Sequence, residues 1–340
     1  MGNQPVFILG IESSCDDTSA AVSKDAHILS NVTAGQEVHR LYGGVVPELA
    51  SRAHQQNIVP VVNAALLKAG IGMSDLHGIA FTRGPGLLGS LLVGGSFAKA
   101  LALGRNLPLM EVNHMQAHIH AHFIEEDEKL IPSFPLLCLT VSGGHTQIVL
   151  MNGLFEMEVI GETIDDAAGE AFDKAAKILG LPYPGGPLVD RLAASGNPNA
   201  YKFPHPRIPG LDFSFSGVKT SFLYFVEGQT RLDPDFIELH KADLCASIQN
   251  TIVSILLDKL QDASNQTGIR TVLISGGVAA NSGLRKALEA KSAKMGWTVF
   301  IPKFEYCTDN AAMIAITGYY KFLRKEFASQ SVSPAARYLL

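Results

Sequence analysis

Two histidines spaced for a shared ligand, His114 and His118, carry the clearest chemistry in the chain. On a helix, residues four apart lie one above the other, so the two imidazoles can hold one cation. They belong to Glu111-Val112-Asn113-His114-Met115-Gln116-Ala117-His118, and His120 and His122 continue the run. His118 and His122 are also four apart, which leaves a second register open. The opposing reading is a solvated helix face that carries histidines. The metalloprotease motif H-E-x-x-H uses the same pair but needs Glu after the first histidine as general base. Met115 stands there, so a protease would lack its base. A mixed nitrogen–oxygen site wants a carboxylate as third ligand. Asp309 is a candidate, although an aspartate just ahead of a predicted helix is an N-cap by default.

Other polar clusters interrupt apolar runs. Glu12-Ser13-Ser14-Cys15-Asp16-Asp17-Thr18 separates two predicted strands and is denser in hydroxyls and acids than a hairpin tip. Such a turn can hold a phosphate through N–H and hydroxyl groups, or a cation through its acids, or be a plain polar hairpin. Ser142-Gly143-Gly144-His145-Thr146 ends a strand from Leu136 to Val141, and Ser275-Gly276-Gly277 ends another from Arg270 to Ile274. A strand feeding glycines at a helix start suits adenine or phosphate binding. Arg83-Gly84-Pro85-Gly86 is a weaker case of the same pattern. Asp166, Glu170 and Asp173 fall on one face of a helix predicted over 163–179, capped by Thr163 or Asp165. They repel one another unless Lys174 and Lys177 or a ligand offset them. Lys202, His205, Arg207 and Lys219, in an irregular stretch, are the candidates for phosphate-backbone contacts.

The elements that must position these residues follow from hydrophobic periodicity. Strand, small polar turn and strand occur near residues 6–32 and again near 136–151, an internal echo of architecture. Helices are predicted between Val46 and Ala69, as one or two segments, and over Lys241–Asn265; further strands cover His77–Thr82, Pro108–Val112 and Trp297–Pro302. A length of 340 residues, 47% of them hydrophobic, suits about two domains. The expected division is an N-terminal subdomain over 1–130, joined by a C-terminal helix at about 325–340, and a C-terminal subdomain over 131–324.

Composition narrows the function classes. A net charge of −5 carries no basic signature, so nucleic acid must meet a local patch. Four scattered cysteines form no C-x-x-C pair, which argues against a disulfide scaffold or zinc knuckle and for a reducing compartment. No signal peptide is expected, myristoylation at Met1-Gly2 is disfavoured, and no apolar run is long enough to span a membrane. A cytoplasmic protein is expected.

The motifs together resemble one family. They are G-I-E-S-S-C-D-D-T at 10–18, N-H-M-Q-A-H at 113–118, V-S-G-G-H-T at 141–146, G-E-A-F-D-K at 169–174, Y-P-G-G-P at 183–187, S-G-G-V-A-A-N at 275–281 and T-D-N-A-A-M at 308–313. The chain is similar, in order and nearly throughout, to the tRNA adenosine threonylcarbamoyltransferase family, TsaD in bacteria, once labelled O-sialoglycoprotein endopeptidase. The resemblance implies an α/β fold of two actin/hexokinase/heat-shock ATPase-like subdomains (ASKHA), each with a mixed sheet, and an active site in the cleft. It implies transfer of the threonylcarbamoyl group of threonylcarbamoyl-adenylate to N6 of adenosine 37 in tRNAs reading codons that start with A, with release of AMP. Carried onto this sequence, His114, His118 and Asp309 would hold one divalent metal ion, iron (Fe2+) or zinc. Thr140, Val141, Ser142, Gly143, Gly144, Asp173, Gly186, Asp190 and Asn281 would hold the adenylate or an adenine nucleotide, and Asp16 matches the catalytic acid of the first turn. The implied partners are tRNA, a paralogous dimer partner (TsaB), a small ATPase (TsaE) and a separate synthase of the TsaC type. A metalloprotease, a small-molecule kinase of the same fold and a nucleotide-switched scaffold are the alternatives. Dependence on His114 and His118 separates the transferase from the kinase.

Overall fold

The apolar run that opens the chain becomes β1 (Phe7–Glu12), paired antiparallel with β2 (Thr18–Lys24), which pairs with β3 (His27–Ala34). The structure, a computed structural model, describes residues 4–126, 130–206 and 208–340. Met1-Gly2, residues 127–129 and Arg207 therefore lie outside the described residues. After β3 come α1 (Pro47–Ala69), β4 (Gly78–Gly84), α2 (Leu88–Arg105), β5 (Leu109–Asn113) and α3 (His114–His120). The stretch offered as one or two helices is one: Pro60 lies inside α1 without dividing it.

A second series then repeats the plan: β6 (Leu136–Val141), β7 (Thr146–Gly153), β8 (Glu156–Glu162), α4 (Ala168–Ile178), α5 (Gly186–Ala193), α6 (Ser216–Leu232), α7 (Phe236–Thr267), β9 (Thr271–Ser275), α8 (Ser282–Met295) and β10 (Thr298–Phe300). The final helix is α9 (Ala311–Leu323). The sheets run β3-β2-β1-β4-β5 and β8-β7-β6-β9-β10, each an antiparallel three-strand meander extended by two parallel strands. The echo seen in sequence is thus a duplicated topology.

The chain forms two units, Met1–Pro132 with Lys303–Leu340, and Ser133–Pro302. The return to the first unit comes at Lys303, earlier than the expected position near 325, and α9 belongs to the first unit. The cause lies in packing. Met313, Ile314, Ala315 and Ile316 are fully buried with Ile8 and Ala80 on one face of the first sheet. Leu9 and Ile11 of β1 point the other way, onto Ile58, Val62 and Ala98 of α1 and α2. A central strand covered on both faces reads as a continuous apolar run. Gly10 allows the closest part of this packing, since a Cβ there would lie 2.5 Å from the backbone nitrogen of Ala315.

No helix follows α9. Residues 326–340 form a strap bonded back onto the first unit, with Ala328 N–H donating to Leu109 O at 2.7 Å and Ala335 N–H to Arg83 O at 2.8 Å. The helix expected at about 325–340 does not form: α9 ends at Leu323 and the chain turns at Lys325, whose φ is 57°. In the second unit, α4 begins at Ala168 rather than Thr163. Thr163 forms an isolated bridge with Phe213, and Asp165 accepts hydrogen bonds from Ser214, Phe215 and Ser216, so neither caps α4. Among the described residues no helix is long and apolar enough to cross a membrane.

Candidate functional site

Asn113, the last residue of β5, accepts hydrogen bonds on its side-chain oxygen from Met115 N–H at 2.9 Å and Gln116 N–H at 3.1 Å. That cap starts α3 at once, so His114 and His118 project from the first turn with their rings edge-on at 4.7 Å. Asp309 arrives on the loop before α9. The cap of α9 is Asn310, which accepts from Met313 N–H at 3.1 Å, so Asp309 is not the N-cap that its position suggested. Its Oδ1 lies 3.4 Å from His114 Nε2 and 3.3 Å from His118 Nε2. One ligand atom from each of the three lies within 4.8 Å of the others. Among the described residues this is the group spaced to hold a metal, and the His118/His122 register forms none. His120 faces Thr317 of α9 at 3.1 Å.

The donor set fits a cation. Both ring nitrogens of His118 are buried without a hydrogen bond, although Nε2 lies 3.3 Å from Asp309 Oδ1. Buried nitrogens converging on a carboxylate are the arrangement that a divalent metal satisfies. Behind His114 lies Glu12, wholly buried, with Oε2 3.1 Å from Nδ1. Glu12 also accepts from Ser14 N–H at 2.5 Å and Thr82 Oγ1–H at 2.6 Å. It is committed to three donors and so does not replace the base that a protease would need. The sequence reading included Glu12 in a motif but gave it no role; only the fold brings it against a residue 102 positions away.

Within the group one cationic ring faces two carboxylates. Burial opposes a charged His114, but Asp309 and Glu12 outweigh it and raise its pKa well above the ordinary value. Burial lowers that of His118. Asp309 and Glu12 are both held low by His114 despite burial. The turn after β1 is more than a hairpin tip. Ser13 Oγ–H donates to Ser90 O at 3.0 Å, and Cys15 O accepts from Ser90 Oγ–H at 2.9 Å, which tie it to α2. Asp16 is partly buried there beside Asp17. Burial, with Asp16, Asp309 and Glu12 adding to it, pushes the Asp17 carboxyl up to about 7, a perturbation the sequence could not disclose.

The remaining predicted residues lie in the second unit, where several are framework. Thr140 is buried on β6 and accepts from Ser275 Oγ–H at 2.9 Å. Val141 ends the strand, and Ser142 N–H donates to His145 O at 2.8 Å across the turn. A Cβ on Gly143 or Gly144 would meet open space, whereas one on Gly169 would lie 2.5 Å from Ser142 O, so that glycine lets α4 dock on the turn. Asp173 accepts from Gly185 N–H at 2.8 Å and Gly186 N–H at 3.0 Å, fixing the start of α5. Asp190 accepts from Ser282 N–H and Oγ–H, both at 2.9 Å, at the start of α8. Asn281 caps α8 through Leu284 N–H at 2.8 Å and donates to Gln249 at 2.7 Å. These loops gather at the C-terminal ends of β6 and β9, where ligands bind in open α/β sheets. The acidic face of α4 is offset by its own lysine: Lys174 lies 2.8 Å from Asp166 and 2.7 Å from Glu170. Lys219, in the first turn of α6, lies 3.4 Å from Asp166 and His205 lies 3.3 Å from Asp258, so two of the three described candidates for phosphate contacts already face carboxylates.

Two copies of one α/β sheet plan, with two buried histidines and a half-buried aspartate grouped in the first unit, place the chain among the two-subdomain α/β proteins typified by actin, hexokinase and the heat-shock ATPases. HypF of T. kodakarensis shares this fold at 15% identity and a TM-score of 0.61, over 96% of this chain and 49% of its own. Component A of (R)-2-hydroxyglutaryl-CoA dehydratase from Acidaminococcus fermentans does so at 17% and 0.53, over 93% and 98%. Residues 27–316 match the TsaD family, tRNA N6-adenosine threonylcarbamoyltransferase. Relatives of that name from Christiangramia forsetii (64% identical over 338 residues, 99% of either chain) and Porphyromonas gingivalis (60% over 334 residues, 98% of either) align from end to end. The chain belongs to this family.

Proposed function

We propose that this chain transfers the threonylcarbamoyl group of threonylcarbamoyl-adenylate to N6 of adenosine 37 in tRNAs reading codons that start with A. The N6 amine attacks the carbamoyl carbon, the bond from that carbon to the phosphate oxygen breaks, and AMP leaves. The adenylate is already an activated mixed anhydride, so the protein's task is to position it and to stabilise charge on the leaving phosphate. His114, His118 and Asp309 would hold one divalent ion, iron or zinc, which when bound supplies positive charge for that phosphate.

The loops of the second unit suit the adenylate. Open space beside Gly143 and Gly144 leaves room for a phosphate next to backbone N–H groups. Asp173 and Asp190 hold the starts of α5 and α8, so with Thr140, Val141, Ser142, Gly186 and Asn281 they would shape a pocket of fixed backbone. The proton leaving the attacking amine needs an acceptor late in the step. Asp16 is the acid named by its motif. The carboxyl of Asp17 beside it is pushed up to about 7, which suits a base working at that pH. The proposed partners are a paralogous dimer partner, a small ATPase and a separate synthase that supplies the adenylate, and a tRNA substrate places the protein in the cytoplasm.

The meeting of His114, His118 and Asp309 in a chain that belongs to the family throughout carries this reading. Its test is modification of an unmodified tRNA by purified protein with those helpers, threonine, bicarbonate and ATP, followed by digestion and mass spectrometry. Threonylcarbamoyladenosine is expected from the wild type and not from His114→Ala or His118→Ala. Wild-type protein that makes none, with helpers active in a control reaction, would overturn it.

A further inference from the structure

The metal ligands explain neither why a carboxylate is wholly buried behind His114 nor why it takes three donors. Glu12 is the last residue of β1 and has no solvent contact. Such a carboxylate is retained in a core only when its lone pairs are occupied. Here Oε1 accepts from Ser14 N–H at 2.5 Å, and Oε2 accepts from Thr82 Oγ1–H at 2.6 Å while facing His114 Nδ1 at 3.1 Å. The Ser14 hydroxyl reaches the same nitrogen at 3.3 Å. Two of the donors come from β4 and from the turn after β1, so the carboxylate is fixed before His114 meets it. An ionised carboxylate accepts hydrogen bonds and cannot donate, so a proton belongs on Nδ1. Nε2, on the side of His118 and Asp309, is then the nitrogen that gives up its proton when a metal binds.

We propose that Glu12 is a positioning residue. It locks His114 in its Nδ1–H form and ring orientation, so that Nε2 is presented ready-made to the metal. The inference rests on the metal seat assigned above. Partners of this kind behind a ligating histidine are worth about 10- to 100-fold in metal affinity. Glutamine at this position has one acceptor oxygen for three donors and an amide NH2 that must face one of them, so it cannot reproduce the arrangement.

The test uses zinc as the probe and the full chain. Zinc affinity is measured by chelator competition for wild type, Glu12→Gln, Glu12→Ala and Thr82→Val, with circular dichroism and a thermal melt reporting folding. Folded Glu12 variants should bind zinc about 10- to 100-fold more weakly than wild type, and Thr82→Val, which frees one lone pair of Glu12, should fall between them and wild type. Because the glutamate variants remove a buried group and can fail to fold, the ring nitrogens of His114 are also read by 15N NMR in zinc-loaded wild type. A proton on Nδ1 with zinc on Nε2 supports the assignment, and zinc on Nδ1 overturns it. Folded Glu12 variants that bind zinc as tightly as wild type overturn it while leaving the seat in place. Wild type that binds zinc no better than His118→Ala overturns the seat and the inference together.

Discussion

At the scale of residues, burial sets what each polar group can do. His118 has two buried ring nitrogens without a hydrogen bond, so its main energetic compensation is a ligand. His118→Ala should therefore abolish tight zinc binding, as read by metal analysis after dialysis, while leaving the fold intact, because alanine removes an uncompensated polar group. Asp17 gives a pH-dependent case. Its carboxyl, ordinarily at 3.8, is raised to about 7 by burial and by Asp16, Asp309 and Glu12. A carboxyl raised on folding favours the folded state fully below its ordinary value, and that contribution is lost as pH rises through 7. In metal-free protein, Asp17→Asn is expected to be more stable than wild type by about 1–2 kcal/mol at pH 8, with the gain gone near pH 4. Thermal melts at the two pH values check this. If Asp17 accepts the proton in the reaction, the same variant loses single-turnover rate. A cation at Asp309 would lower the Asp17 pKa again, leaving burial, Asp16 and Glu12 as its causes.

At the scale of elements, the site depends on where two helices begin. Asn310 caps α9 and so frees the neighbouring Asp309 carboxylate for His114 and His118. Asn310→Ala should cost about 1 kcal/mol in chemical denaturation and should also weaken zinc binding, an effect absent from a capping loss at α8 of the second unit. Gly10→Ala is more severe, because the new Cβ would press on the backbone of Ala315 and Ala311. Separating α9 from β1 should cost about 2–4 kcal/mol, measured as a lowered urea midpoint. The sequence disclosed much of this level. Continuous apolar runs marked β1 and β6, and the i, i+4 histidines marked a helix face. The start of α4 is less legible, because Thr163 and Asp165 look like caps but the Thr163 hydroxyl donates to Asp166 O and the Asp165 carboxylate serves the segment 214–216. The sequence left Glu12 without a role, because a glutamate ending a strand shows its burial only when β4 and α3 are in place.

At the scale of the whole molecule, duplication assigns two tasks to two copies of one sheet. The motifs disclosed the duplication, since each polar turn follows the first strand of its sheet. They could not disclose that the chain returns at Lys303, because α9 is apolar over most of its surface and would suit a core in either unit. The proposed metal ligands all belong to the first unit and the proposed adenylate residues to the second. The two sets should then be separable by ligand. Asp190 accepts three hydrogen bonds from Ser282 and Gly283 at the start of α8. Asp190→Ala should loosen that loop and lower adenine-nucleotide affinity about tenfold or more, a loss of roughly 1–3 kcal/mol for uncapped donors, with zinc affinity unchanged. His118→Ala should do the reverse for zinc. Calorimetric titration of each variant with zinc and with an adenine nucleotide measures the four affinities, and both variants should fail in tRNA modification. An Asp190→Ala protein that keeps wild-type nucleotide affinity would remove Asp190 from the adenylate site and leave it as a helix cap.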